Sequence, residues 1–274
     1  MNLTLLAPTF GWNLVLFFAG LSIGSFLSVI VQRSLAGKSW VRGRSQCDHC
    51  KKVILWYDNI PLVSFFLLRG RCRFCRQPIA FFHPLLEFLT GIGFVLTSWF
   101  SFGGLPPASF TQAAILVFWL LVFTVSWLIF WFDWQAMIIP DLLVIVLGGL
   151  ALLRLGWLYL FHFLSPTQLL TTLAATVGLS LFFLSLWLIT KRQGFGLGDV
   201  KLAIPLGLLL GFPQLIIGVF SAFIIGAVWG IILIISGRKK FGQVVPFGPF
   251  LIVGLWLALA WGQKLWLTYW QILY

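Results

Sequence analysis

Acidic residues are almost missing from this 274-residue chain, which holds six Asp and Glu against eighteen Lys and Arg. Charged residues of both signs make up only 9%, where a soluble domain carries roughly 25%. That scarcity excludes a soluble globular domain, a charged disordered chain and a coiled coil. Strict alternation of apolar and polar residues in ten-residue segments is also missing, which excludes a transmembrane β-barrel. What is present is a 61% hydrophobic composition arranged in long unbroken runs. A lipid-spanning backbone must satisfy its hydrogen bonds within each segment, so such runs imply an all-α polytopic membrane protein.

A transmembrane helix needs about 20 mostly apolar residues. The runs place spans near 10–31, 82–102, 111–132, 141–161, 168–190, 200–212, 214–236 and 247–270, about eight transmembrane helices. The sixth is short and joins the seventh through Gly211-Phe212-Pro213. Basic residues set the orientation. None precedes Arg33, and ten fall within 33–81, with further clusters at 191–201 and 237–246. With eight spans, sixteen of the eighteen share one face, which is then cytoplasmic, and both termini lie outside. The net charge of +12 is thus a topology signal and an attraction to the lipid bilayer, not a nucleic-acid signature. The first span has no positive residues before it, so it is expected to be retained rather than removed as a signal peptide.

All four cysteines lie in the one long hydrophilic segment, as Cys47-Asp-His-Cys50 and Cys72-Arg-Phe-Cys75. Two such knuckles 21 residues apart have the spacing of a tetrathiolate zinc site. Disulfides are the competing reading, and a cytoplasmic location argues against them. Four thiolates leave no open position, so the expected Zn2+ is structural, holding together a loop too small to fold on a core of its own. Asp48 and His49 then read as solvated knuckle residues.

Three of the acids sit at span boundaries. Asp133 follows Trp131-Phe132, Asp141 follows Pro140, and Asp199 closes Gly196-Leu197-Gly198-Asp199. Asp141, just after a proline, is placed to cap a helix N-terminus. Asp133 stands at a helix end where a negative charge opposes the helix dipole, so its presence needs another reason. Glycines beside Asp199 let another backbone approach closely. Two carboxylates from separate helices can share a proton and activate water on a peptide carbonyl. A proton-coupled transporter also uses membrane carboxylates, but would be expected to show duplicated halves, and none is visible.

The motifs, taken in order, resemble those of the type IV prepilin peptidases, a family of GxGD membrane aspartyl proteases. The resemblance runs through Gly20–Arg33, Trp56–Ser64, Leu68–Arg73, His83–Gly91, the Asp133 to Asp141 segment, Gly196-Leu-Gly-Asp-Val-Lys201 and Val245–Phe250. Ser28 stands where the family has Asn, Gln32-Arg33-Ser34-Leu35 replaces Tyr-Arg-Leu-Pro, and His83 replaces the Tyr before Pro84. The resemblance implies a bifunctional enzyme of the bacterial inner membrane. It would cut prepilin or pseudopilin leaders after a glycine on the cytoplasmic side, then methylate the new N-terminus with S-adenosylmethionine. A presenilin-type protease cutting within a span is the near alternative, and the tetracysteine loop argues for the former. Catalysis would fall on Asp133 and Asp199, supported by Gly196, Gly198 and Lys201, and methyl transfer on Glu87 and Gly91. The bland readings of the last two are a carboxylate paired with a loop arginine and a helix-packing glycine. The implied division is a first helix over 1–32, a zinc-binding domain over 33–81 and a transmembrane peptidase domain over 82–274. The sequence carries no signature of an oligomeric state.

Overall fold

The computed structural model describes residues 3–190, 196–240 and 243–273. Lys191, Arg192 and Gly194 of the basic and glycine-rich segment lie outside the described residues. The helices are α1 (Leu3–Leu35), α2 (Val63–Leu67), α3 (Phe82–Phe102), α4 (Phe110–Ala136), α5 (Asp141–Leu160), α6 (Pro166–Ile189), α7 (Leu197–Leu210), α8 (Gln214–Ile235) and α9 (Gly248–Leu273). A 3-10 turn, Trp56–Asn59, precedes α2. Among the described residues no strand forms; two isolated bridges, Gln46 with Val53 and Arg71 with Pro78, close the cysteine knuckles.

Seven of these helices are long and apolar enough to cross a membrane: α1, α3, α4, α5, α6, α8 and α9. The sixth expected span, near 200–212, appears as α7, a helix of 14 residues. At 1.5 Å per residue it is about 21 Å long, short of the roughly 30 Å hydrocarbon layer. Gly211, at φ +66, ends it. Apolar side chains face outward throughout, and only 17% of the α8 window is buried. That is the pattern of helices solvated by lipid tails rather than by one another.

The chain forms two compact units, Met1–Thr124 and Val125–Tyr274, with the division inside α4. The first unit holds α1, the cysteine loop, α2, α3 and the start of α4. Its main helix pair is α1 with α3, brought together by small residues. A Cβ at Gly20 would lie 2.7 Å from the Gly91 Cα, and one at Gly24 would lie 2.7 Å from the Glu87 Cα.

In the second unit α7 is the buried centre, with Leu202, Ala203 and Pro205 to Leu210 all buried. It packs against α5, α6 and α9, while α8 pairs with α9. Gly207 lets α7 approach α6 so closely that a Cβ would fall 2.5 Å from the Thr176 hydroxyl. Helix α6 starts on a capping box, with Gln168 N–H donating to the Ser165 hydroxyl and Ser165 N–H donating to the Gln168 side chain.

Candidate functional site

The cysteine knuckles share one local geometry. Cys47 N–H donates to the Lys52 carbonyl and Cys72 N–H to the Gln77 carbonyl, at 3.0 and 2.9 Å. One residue past the second cysteine of each, Lys51 and Arg76 both take φ 57. These turns bring Cys47, Cys50, Cys72 and Cys75 together as free thiols, with all four sulfurs within 4.8 Å of one another. Cys47 Sγ lies 3.8 Å from Cys75 Sγ, the edge of a tetrahedron with bonds of about 2.3 Å to a central metal. The donor set therefore fits a four-coordinate metal ion. Backbone N–H groups of Cys75 and Phe74 donate to Cys72 and, against desolvation, hold its thiol down to about 7, whereas the Cys75 thiol, despite a backbone N–H from Gln77, is pushed up to about 11 by desolvation and the neighbouring thiols. Asp48 and His49 are exposed and are not needed as ligands. Asp58 instead braces the loop, accepting two bonds from the Arg73 guanidinium at 2.7 and 2.6 Å.

Between this loop, the end of α1 and the start of α3 lies a cavity of about 820 Å³. Glu87 is on its wall, 8% exposed, and accepts the Leu62 backbone N–H at 2.9 Å. The carboxylate thus meets a backbone donor, not the loop arginine of its bland reading. Leu62 is held at φ 59, an uncommon conformation for a leucine. Beside Glu87 runs a polar chain. Gln32 donates to His83 Nε2 and His83 Nδ1 donates to Ser28, each at 3.0 Å, and Ser28 donates to the Ser25 carbonyl at 2.8 Å. Three positions that depart from the family pattern are thus in contact with one another. Gly91 lies elsewhere: a Cβ there would meet the Phe17 ring at 2.8 Å, so it belongs to the α1–α3 contact and not to the cavity wall.

The second unit brings together two buried acids, Asp133 at 5% and Asp199 at 6% exposure. Asp133 stands in the last turn of α4, which runs on to Ala136, a turn past the expected end of the apolar run. Its Oδ2 accepts the Gly248 N–H at 2.9 Å. Gly248 opens α9, so the dipole of a 26-residue helix points its positive end at this carboxylate. That answers the unfavourable dipole of α4. A Cβ at Gly248 would fall 2.7 Å from Oδ2, so glycine is required for the approach.

Asp199 lies in the first turn of α7 and accepts the Gly196 N–H at 3.2 Å through Oδ2. Its Oδ1 is buried and has no hydrogen-bond partner among the described residues. Ile139 reaches both clusters, with its Cδ1 3.1 Å from the Cβ positions of Gly198 and of Gly248 alike. One side chain therefore touches both the neighbour of Asp199 and the residue bonded to Asp133. Asp141, expected to cap α5, is its first helical residue after a Pro140 N-cap that has no side-chain bond. Its carboxylate instead meets Lys201 at 2.7 Å, tying the first turn of α5 to that of α7. Gly248 and Ile139 were quoted in motifs without a role, and their contacts span too many residues for spacing to reveal them.

An all-helical membrane protein with a tetrathiol loop in one unit and a buried carboxylate pair in the other is the class these features define. Residues 18–101 match the model of the bacterial peptidase A24 N-terminal domain, and residues 120–231 match that of the type IV leader peptidase family. The chain belongs to the type IV leader peptidase family. It is 33% identical to a protein named prepilin leader peptidase/N-methyltransferase from Aeromonas hydrophila, covering 97% of this chain and 95% of the relative. A namesake from Pseudomonas aeruginosa is 31% identical over 92% and 91% of the two chains, and one from Klebsiella pneumoniae is 35% identical over 75% and 88%. No solved structure matches.

The thiol cluster carries a direct test. Purified protein is expected to hold about one divalent metal ion per chain by elemental analysis, and a Cys47→Ser/Cys75→Ser variant to lose it.

Proposed function

We propose that this chain is a prepilin leader peptidase and N-methyltransferase that cleaves by an aspartyl pair. The observation that carries the mechanism is the convergence of two buried carboxylates from α4 and α7, one met by the N-terminus of α9 and the other with a bare oxygen. Membership of the family and the names of the relatives support prepilin processing and methylation as the overall activity. The enzyme is a multi-pass protein of the bacterial inner membrane, and prepilins or pseudopilins are its substrates. The basic loops support an orientation with the cysteine loop and both aspartates facing the cytoplasm.

Both carboxylates accept one N–H at a helix N-terminus, and the bare Oδ1 of Asp199 is what distinguishes them, so Asp133 is the ionised member of the resting pair. Asp199 carries the shared proton on its unpartnered Oδ1. A water between them gives a proton to Asp133 as its oxygen bonds to the carbonyl carbon of the leader's terminal glycine. Asp199 passes its proton to the carbonyl oxygen, giving a neutral tetrahedral diol. As the C–N bond breaks, Asp133 returns its proton to the leaving amine, and a diol hydroxyl reprotonates Asp199. Gly196 leaves room for the extended substrate beside Asp199, Gly198 admits the Ile139 side chain against α7, and Lys201 with Asp141 ties down the start of that helix.

Methyl transfer is assigned to the first unit. The cavity there is within the 300–1,000 Å³ range of small-molecule sites. Its basic rim suits a carboxylate, and Glu87 suits a cation, a donor set that fits S-adenosylmethionine. When bound, that cofactor supplies a methyl group activated on sulfur. Glu87 orients the incoming N-terminal amine and accepts the proton it must lose. Gly91 supports the site only by letting α1 approach α3. The metal at the four cysteines is zinc, and its role is to fold the loop that closes this cavity.

Asp133→Asn and Asp199→Asn are each expected to lower prepilin cleavage by about a thousandfold or more while the protein still inserts. Mass analysis of a co-expressed prepilin checks this, and full processing by either variant contradicts the pair. Gly248→Ala retains the N–H but pushes a methyl group into Asp133, and is expected to cut kcat about a hundredfold with KM little changed. Glu87→Gln is expected to leave cleavage intact and yield mature pilin whose N-terminus lacks the methyl mass.

A further inference from the structure

At 14 residues, about 21 Å, helix α7 is too short to cross an apolar layer of roughly 30 Å, and its last carbonyls need donors. An unsatisfied backbone group in hydrocarbon costs several kcal/mol. The Leu209 carbonyl would ordinarily bond to the N–H of the fourth residue on, but that residue is Pro213, which has none. Its donor comes from another helix: Arg154 of α5 reaches across and donates Nη1–H to the Leu209 oxygen at 3.0 Å.

Two further observations fit this pairing. Counted from the Lys201–Asp141 pair, Arg154 lies thirteen residues along α5 and Leu209 eight along α7, about 20 and 12 Å, a difference that the long lysine and arginine side chains reach across. Both helices run in the same direction from that pair, and the guanidinium reaches back to the end of α7. Its neighbours Leu147, Ala151 and Leu155 form the buried face of α5, which packs on α7. A cation at a helix C-terminus also complements the dipole whose opposite end carries Asp199. Ionisable groups in membrane segments are rare because they are costly, and this one has a partner that explains its place.

We infer that Arg154 is a positioning residue for leader cleavage: by holding the C-terminal end of α7, it fixes where the N-terminal turn presents Asp199. The helix is anchored at both ends by cross-links to α5, Lys201 to Asp141 at one and Arg154 to Leu209 at the other. Removing the inner link frees α7 to slide or tilt, and displacement by about 1 Å is enough to slow a reaction a hundredfold. The inference rests on Asp199 being a member of the catalytic pair.

The test compares Arg154→Leu, Arg154→Lys and Arg154→Gln with the unaltered enzyme, in purified protein. Cleavage of a prepilin and methylation of an already cleaved pilin peptide are followed separately. Arg154→Leu is expected to lose about tenfold to a hundredfold in kcat for cleavage, with KM and methylation unchanged. Arg154→Lys regains most of that loss, because an ammonium also donates to the Leu209 carbonyl, and neutral Arg154→Gln regains less. Unaltered kcat in Arg154→Leu overturns the inference. So does a loss shared equally by cleavage and methylation that lysine does not restore, since the arginine then holds the fold as a whole. Asp199→Asn in the same assays separates the two ideas. If it cleaves, the aspartyl reading fails; if it is inactive while Arg154→Leu is normal, only the role of Arg154 fails.

Discussion

Burying a carboxylate among apolar helices is strongly unfavourable unless polar donors meet it, and the second unit is arranged around that constraint. Asp133 stands at the wrong end of its own helix, so another helix must come to it. The N-terminus of α9 does so, through the Gly248 N–H. The approach demands glycine at 248, and the chain 115 residues away must return to the same place. Asp199 is met more locally, by the Gly196 N–H at the start of α7. The short α7, buried along its second half, follows from the same requirement: it carries an acid at one end and meets a cation at the other.

The first unit solves a different problem. Its loop has little apolar surface to bury, and two matching knuckles gather four sulfurs that a single metal can bridge. Asp58 with Arg73, Arg33 with the carbonyls of Ser39, Arg42, Gly43 and Arg44, and Glu87 with the Leu62 N–H add polar ties at the loop's other points. The outcome is a walled cavity beside a membrane helix pair, made by a segment that could not fold on hydrophobic burial alone. Ser28, Gln32 and His83 depart from the family pattern together, and their contact shows why: each is a hydrogen-bond partner of another.

Much of this was legible in the sequence. The run at 82–102 becomes α3 with the same limits, because an apolar segment flanked by a polar loop and Gly103 has no other stable form in lipid. The four cysteines and the two acids were visible by scarcity and spacing. Helix α7 holds the place of the short sixth run, and Gly211 and Pro213 end it at 14 residues although its composition matches the others. The partners were not legible. Gly248 with Asp133, Arg154 with Leu209 and Lys201 with Asp141 join residues 55 to 115 positions apart, and no periodicity encodes them. Asp141 illustrates the point: its position after Pro140 suggested a cap, whereas a cation from α7 decided where its carboxylate points.

The central claim is that Asp133 and Asp199 act jointly on a tetrahedral centre at the scissile carbonyl. An enzyme binds a mimic of that centre far more tightly than its substrate. The most direct measurement is therefore the affinity of a leader-spanning peptide whose scissile bond is replaced by a hydroxyethylene group. This peptide is expected to bind the unaltered enzyme at least about a hundredfold more tightly than the matching substrate, with the advantage lost in both Asp133→Ala and Asp199→Ala. An equal affinity for the unaltered enzyme and the two variants would contradict that claim.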